Sequence, residues 1–309
     1  MKMLKPDFWD KKNNLISLLL LPISFFIQLL IIIKKKLTLE HSFKIPIICI
    51  GNIYLGGTGK TPLSILIAKE LKKHNKKPVI IKKYYSEHAD EHNLINNSLD
   101  CLLLDKQRSK AIIGAEKKQY NIAILDDGFQ DYSIKKNVNI LCFNSNQFIG
   151  NGMTLPSGPL RENLSAFKRT QVVLINGDKD VSFEDKILSI SNKIKIFYSK
   201  YLPENIEEFK KKNLFAFAGI GNPSNFFKLL SDNNLNVHTK LSFPDHYKFS
   251  KPEIQKMIDE ALKNNLEIIT TEKDYFRIKH YGFKHIKFLK IKLDILEKDK
   301  FINQILNYL

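Results

Sequence analysis

The chain has 309 residues, enough for two domains of ordinary size, and a hydrophobic content of 43% excludes a largely disordered protein. Its formal charge of +17 invites a nucleic-acid reading, yet only four arginines occur (Arg108, Arg161, Arg169, Arg277) and the lysines are spread over the whole length. A nucleic-acid binder concentrates arginine and aromatics on one face, and no stretch here does so; the abundance of Asn and Ile beside Lys fits the background of an A+T-rich genome.

The first feature along the chain is "NLISLLLLPISFFIQLLIIIKKK" (14–36), in which only Ser17, Ser24 and Gln28 are polar between Leu15 and Ile33. A helix rising about 1.5 Å per residue would just cross a hydrocarbon core of roughly 30 Å, although Pro22 disturbs it. Lysines flank both ends, so charge gives no orientation, and no small-residue cleavage site follows. The segment reads as a membrane-embedded or interfacial anchor, spanning or re-entrant, with Phe8 and Trp9 near the headgroups; a buried soluble helix is the alternative.

Next comes "IPIICIGNIYLGGTGKTP" (45–62), an apolar strand running into a glycine-rich loop. A phosphate site needs converging backbone N–H groups, a helix N-terminus, a lysine at the β/γ-phosphates and a hydroxyl on Mg²⁺. Gly56, Gly57 and Gly59 can take the positive φ of a tight nest, Thr58 lies among them, Lys60 brings the charge and Thr61 the hydroxyl. Pro62 suits a first helical turn, and Leu63, Ile67 and Leu71 give the following helix an apolar face. Tyr54 stands where the usual pattern has a glycine.

Short apolar runs follow at 78–81, 101–104, 121–125, 138–143 and 171–175, then at 193–198, 214–220, 266–270 and 286–293, alternating with helical stretches such as 62–74 and 251–264. Runs apolar almost throughout are expected of parallel strands covered on both faces. The fold class is α/β, with two sheets and a boundary near residue 185: an anchor at 1–38, a P-loop lobe at 39–185 and a second α/β lobe at 186–309. "NIAILDDGFQD" (121–131) delivers Asp126 and Asp127 at the end of a strand, the place from which a P-loop protein holds Mg²⁺ or its water. Cys49, Cys101 and Cys142 sit in apolar runs without metal spacing and read as reduced core cysteines.

Several motifs in one order now resemble a known family, the tetraacyldisaccharide 4′-kinases. They are the apolar N-terminus preceded by "FW", then "GNIYLGGTGKTP", "DDGFQ", "GNGMTLPSGPLRE" (150–162), "FAGIGNPSNFF" (217–227), "FPDHYKF" (243–249) and "TTEKDYFRI" (270–278). The resemblance implies two α/β lobes and transfer of phosphate from MgATP to the 4′-hydroxyl of a lipid A disaccharide 1-phosphate. It further implies a location on the cytoplasmic face of the inner membrane, with membrane lipid as the other partner and no nucleic acid or protein partner. The family's base dyad maps onto Asp90 in "HADEHN" and His246 in "FPDHY", drawn from different lobes, with Glu91 beside Asp90. Arg161 matches a residue that stabilises phosphoryl charge, Glu162 one that reaches the metal, Arg108 another basic position, and Gln130 a polar neighbour of the paired carboxylates. The family's loop also lacks the early glycine, so Tyr54 is no defect.

The chain departs from the family at 81–92, where "IKKYYSEHADEH" replaces S-R-G-Y-G and a longer insertion before G-D-E, and at Met153, where the family has arginine. Lys82 or Lys83 can replace lost positive charge there. Two other functions fit the residues: a membrane-bound P-loop ATPase or GTPase switch acting on protein partners, to which "TEKD" (271–274) lends a faint guanine-recognition pattern, and a nucleotide-binding relative without transfer activity.

Overall fold

The computed structural model describes residues 5–85 and 89–309, apart from the side chains of 89–91, 93 and 97. Its elements fall into two compact units. The first comprises Lys5–Tyr84, Cys101–Lys200 and Asp294–Leu309; the second comprises Tyr85–Asp100 and Tyr201–Leu293.

The first unit opens with two helices, α1 (Leu15–Leu19) and α2 (Leu21–Leu37), where one long helix was expected. Asn14 caps α1 by accepting from the Ile16 N–H at 2.9 Å. The break falls at Leu20, and Pro22 takes one of the first two positions of α2, where a missing N–H costs nothing. No helix among the described residues is long and apolar enough to cross a membrane.

The helix pair is nevertheless inverted relative to a soluble one. Ser17 and Ser24, two of its three uncharged polar residues, are buried, whereas Leu15, Leu19, Ile23, Phe25, Phe26 and Leu30 are exposed, Phe25 by 74%. Ser24 Oγ donates to Thr154 O at 3.0 Å and lies 2.8 Å from Ser157 Oγ; Asn151 Nδ2 reaches Ser17 Oγ at 3.1 Å. The expectation for Trp9 is corrected: the ring is buried and its Nε1 donates to Pro156 O at 3.0 Å, so it is a docking residue of the same loop.

The strand and helix series continues with β1 (Ile47–Gly51), α3 (Lys60–Lys73) and β2 (Pro78–Lys83). Here the chain enters the second unit for α4 (Ala89–Ser98) and returns for β3 (Leu102–Asp105), α5 (Arg108–Lys117), β4 (Ile122–Asp126) and β5 (Val138–Asn144). β6 (Val172–Asn176), α6 (Val181–Ile190) and β7 (Lys195–Pro203) complete the run. These strands form an eight-stranded sheet in the order β12-β7-β6-β5-β1-β4-β2-β3, in which β12 is Ile291–Ile295. Every pairing from β7 to β3 is parallel. The residues of β1, β4 and β5 are all buried, as near-continuous apolar runs covered on both faces require. The break expected near residue 185 lies inside this unit, because α6 and β7 extend the same sheet; α10 (Lys298–Leu306) also belongs here, with Phe301 edge-on to Phe197.

β1 lies between β4 and β5, so the strand order reverses at its carboxyl end. That crevice is where open α/β sheets bind ligands. Gly51 ends the strand because a Cβ there would come within 2.3 Å of the Phe129 Cβ.

The second unit holds β8 (Asn213–Ala218), α7 (Pro223–Asp232), β9 (Asn236–Ser242), α8 (Lys251–Lys263), β10 (Glu267–Thr271), α9 (Glu272–Ile278) and β11 (Ile286–Leu289). Its strands form a parallel sheet in the order β11-β10-β8-β9. Along β8, Leu214, Ala216 and Ala218 share a core with Phe226, Phe227 and Leu230 of α7, while Phe215 and Phe217 pack with Ile254, Met257 and Ile258 of α8. This is the strand's period of two dividing its side chains between two helical layers. The helix α4 packs on α9.

Candidate active site

The loop after β1 is shaped by two glycines. Gly56 has φ 134° and Gly59 φ 86°, the left-handed conformation that lets Gly59 stand immediately before α3. Gly57, expected to share this role, is not among the positive-φ residues. Asn52, fully buried, donates through Nδ2 to Gly56 O at 3.1 Å and so holds the loop on the end of the strand. Among the described residues no side chain caps the start of α3, which leaves its first-turn N–H groups for an anion. The Thr58 hydroxyl, buried in the loop, has no hydrogen-bond partner among the described residues. Tyr54 is 1% exposed and bridges Leu160 in antiparallel fashion, so the position of the missing glycine is a core position beneath the loop.

Two strand-end carboxylates face this loop differently. Asp126 is fully buried; its Oδ2 accepts from Thr61 Oγ1 at 2.9 Å and from Lys82 Nζ at 2.7 Å, while its Oδ1 has no partner among the described residues. Asp127 has φ 60°, a turn conformation tolerated by aspartate, and meets Lys60 Nζ at 3.6 Å and Arg161 Nη1 at 3.1 Å. Burial alone would raise the Asp127 carboxyl, but Lys60, then Arg161 and Lys82, outweigh it and hold it well below the usual carboxylate range.

Arg108 opens α5 and donates through Nη2 to Asp127 O at 2.7 Å and through Nη1 to Asp131 Oδ2 at 3.3 Å. Gln130 Nε2 donates to Asn52 O at 3.0 Å, tying the loop after β4 to the loop after β1. Glu162, expected at the metal, is instead gripped through both oxygens by Arg169 Nη2 at 2.8 Å each. Arg169 itself lies over the Phe129 ring, 3.9 Å from its centroid.

In the second unit, His246 sits at φ 55° in the loop before α8. Its Nδ1 is 3.3 Å from Arg277 Nη2, and Arg277 Nη1 donates to Asp274 Oδ1 at 2.6 Å and Gly219 O at 2.5 Å. Asp274 is fully buried and also accepts from Thr271 Oγ1 at 2.7 Å and the Gly219 N–H at 2.9 Å. Arginine only donates, so Nδ1 is the acceptor and a neutral His246 carries its proton on Nε2. Asp90 and Glu91 lie at the start of α4, but their side chains are outside the described residues. The expectation that Asp90 comes from the P-loop lobe is corrected: α4 belongs to the unit of His246, because it packs on α9, although its sequence position falls between two strands of the larger sheet.

A family model described as tetraacyldisaccharide-1-P 4′-kinase matches residues 16–309. The chain belongs to this family. It is 42% identical to the tetraacyldisaccharide 4′-kinase of Pelagibacter ubique (strain HTCC1062), over 99% of this chain and 98% of that protein. The enzymes of the same name from Francisella tularensis subsp. novicida (strain U112) and Rickettsia africae (strain ESF-5) are each 31% identical, covering 95% and 96% of this chain and 99% and 96% of their own. A crystal structure of LpxK from Aquifex aeolicus in complex with ATP has a TM-score of 0.69 at 23% identity, covering 95% of this chain and 99% of that one, and shares the fold.

Of the residues that the tetraacyldisaccharide 4′-kinase motifs single out, the structure gathers Gly56, Thr58, Gly59, Lys60, Thr61, Asp126, Asp127, Arg161, Arg108 and Gln130 into one connected set at the carboxyl ends of β1 and β4. Lys82 is expected from the sequence only as a replacement for lost positive charge, and Arg169 and Arg277 are given no role there. Arg169 and Arg277 could have been suspected from arginine scarcity alone, while nothing in the local pattern distinguishes Lys82 as the buried partner of Asp126.

Proposed function

We propose that this member of the tetraacyldisaccharide 4′-kinase family transfers the γ-phosphate of ATP to the 4′-hydroxyl of a tetraacyldisaccharide 1-phosphate, a lipid A precursor. The observation that carries the reading is the junction of loop and strand: an uncapped helix start, Lys60 beside it, and Thr61 bonded to the buried Asp126. Thr61 and the Oδ1 of Asp126, unpartnered among the described residues, are hard oxygen donors suited to Mg²⁺. Bound there, the ion would supply charge stabilisation at the β- and γ-phosphate oxygens.

The chain's own residues supply the remaining roles. Backbone N–H groups at 56–61 and Lys60 hold the phosphates, and Arg161 offers a planar fork to charge spreading over the transferred group. The acceptor oxygen bonds to the γ-phosphorus as the bridge to the β-phosphate breaks, and the hydroxyl proton passes to the carboxylate of Asp90 in the proposed Asp90–His246 pair, in which a neutral imidazole protonated on Nε2 can only donate. Arg277, itself fixed by Asp274, holds that imidazole by its Nδ1 edge.

The proposal includes attachment to the inner membrane at its cytoplasmic face. The exposed apolar side chains of α1 and α2, with Lys34, Lys35 and Lys36 at the end of α2, suit an interfacial helix pair on anionic lipid. The decisive experiment incubates the protein with ATP, Mg²⁺ and a tetraacyldisaccharide 1-phosphate. Transfer of labelled γ-phosphate to lipid supports the reading; ATP hydrolysis without a phosphorylated lipid refutes it.

A further inference from the structure

Lys82 is the unusual cation of the P-loop unit. It lies near the end of β2 with its Cα paired to that of Asp126, 5% exposed, and its Nζ is 2.7 Å from Asp126 Oδ2. Burying an ammonium is costly unless it is paired. The P-loop lysine is already present: Lys60 faces Asp127 from the start of α3. Lys82 therefore places a second positive charge on the carboxylate side of the site, against the same oxygen that accepts the Thr61 hydroxyl.

We propose that Lys82 is a positioning residue that occupies the electrostatic place of the divalent ion while the nucleotide site is empty, so that metal enters with ATP and not before it. The inference rests on the reading of Thr61 and Asp126 as the metal side of the nucleotide site. Asp126 Oδ2 is committed to two donors, leaving only Oδ1 for an incoming ion. A divalent cation arriving alone meets the Lys82 ammonium beside a carboxylate already neutralised. The phosphates of a metal–nucleotide complex bring the negative charge that offsets both cations.

The test measures Mn²⁺ binding to the nucleotide-free full-length protein, reading free Mn²⁺ by electron paramagnetic resonance. Lys82→Met removes the charge and keeps the stem. It should bind Mn²⁺ at least tenfold more tightly than the wild type, and adding Asp126→Asn should abolish the gain. Equal affinity in Lys82→Met and wild type overturns the proposal. If Lys82→Met lacks a cooperative melting transition, it is refolded with millimolar Mn²⁺: recovery of the transition supports replacement of the ammonium by the metal, and failure to recover overturns it. ATP binding by the wild type is measured in parallel. Its absence would refute the kinase reading, whereas the Mn²⁺ comparison is made without nucleotide and stands or falls separately.

Discussion

Thr61 donates its hydroxyl hydrogen to Asp126 Oδ2 over 2.9 Å, so the first turn of α3 and the end of β4 are joined through one oxygen. A hydroxyl donating in this direction keeps its lone pairs for a ligand on the loop side. Replacing Thr61 by Ala removes both functions, and turnover should fall about 10–100-fold, the usual cost of losing such a support. Thr61→Ser keeps the hydroxyl and should stay within severalfold of the wild type. A lipid-phosphorylation assay at several Mg²⁺ concentrations checks both, and an unimpaired Thr61→Ala would remove Thr61 from the metal side.

Asp274 is fully buried with Arg277 Nη1 at 2.6 Å. Deleting one partner of a buried ion pair strands the other charge, at a cost of about 3–5 kcal/mol. Arg277→Ala should therefore destabilise the protein by about that amount in urea unfolding. The double variant Arg277→Met/Asp274→Leu, with neither charge, should recover most of the loss. A full-strength Arg277→Ala would show that the pair carries no structural energy.

The depressed titration of Asp127 has a definite acid signature. Its folded-state pKa lies below the unfolded value of about 3.9, so its stabilisation is complete above that pH and is lost as pH falls toward the folded value. Thermal melts from pH 6 to pH 2.5 should show a steeper loss below about pH 4 in the wild type than in Asp127→Asn. Parallel curves would mean that Lys60 and Arg161 do not hold the charge in solution.

Burial pushes the Cys49 thiol up to about 11 and the Cys142 thiol up to about 12, and both lie in the central strands β1 and β5. Thiolate is the reactive form. At pH 8 neither should react with a chromogenic disulfide within an hour, and both should react within minutes in denaturant. Rapid native labelling of Cys49 or Cys142, located by peptide mass, would contradict the packing of the sheet.

Phe25 and Phe26 project from α2, 74% and 59% exposed. Replacing both by Lys should release the protein from anionic vesicles in flotation while shifting the melting temperature little, since neither side chain packs in the core. Retention on the vesicles would place the lipid contact elsewhere.

Much of the phosphate site was legible because its signals are local: an apolar run, glycines at a turn, and a lysine and threonine at a helix start all fall within residues 45–62. Asp126 could be read for the same reason, as a polar residue ending a buried strand. The burial of Lys82 against Asp126 could not, since a lysine after four apolar residues reads as a strand emerging into water, and only the pairing of β2 with β4 shows what it meets. The edge strand β9 escaped detection because its alternating, partly exposed side chains give it no apolar run. The membership of α4 depends on its packing against α9, nearly two hundred residues away in sequence, which no window of periodicity samples. The run at 286–293 looked like one strand, yet β11 joins the smaller sheet and β12 the larger, with Lys290 between them.

The loop at 150–162 is held at one end by Ser17 and Ser24 and at the other by the Arg161–Asp127 pair, with Gln28 Nε2 reaching Arg161 O at 3.4 Å. The greasy N-terminus is therefore a poor target for trimming. A chain shortened to begin after residue 38 would shed its stickiest surface and behave better on a column. It would also bare the Thr154 carbonyl and the Ser157 hydroxyl and leave Arg161 on a slackened tether, so the better-behaved protein should be the worse kinase.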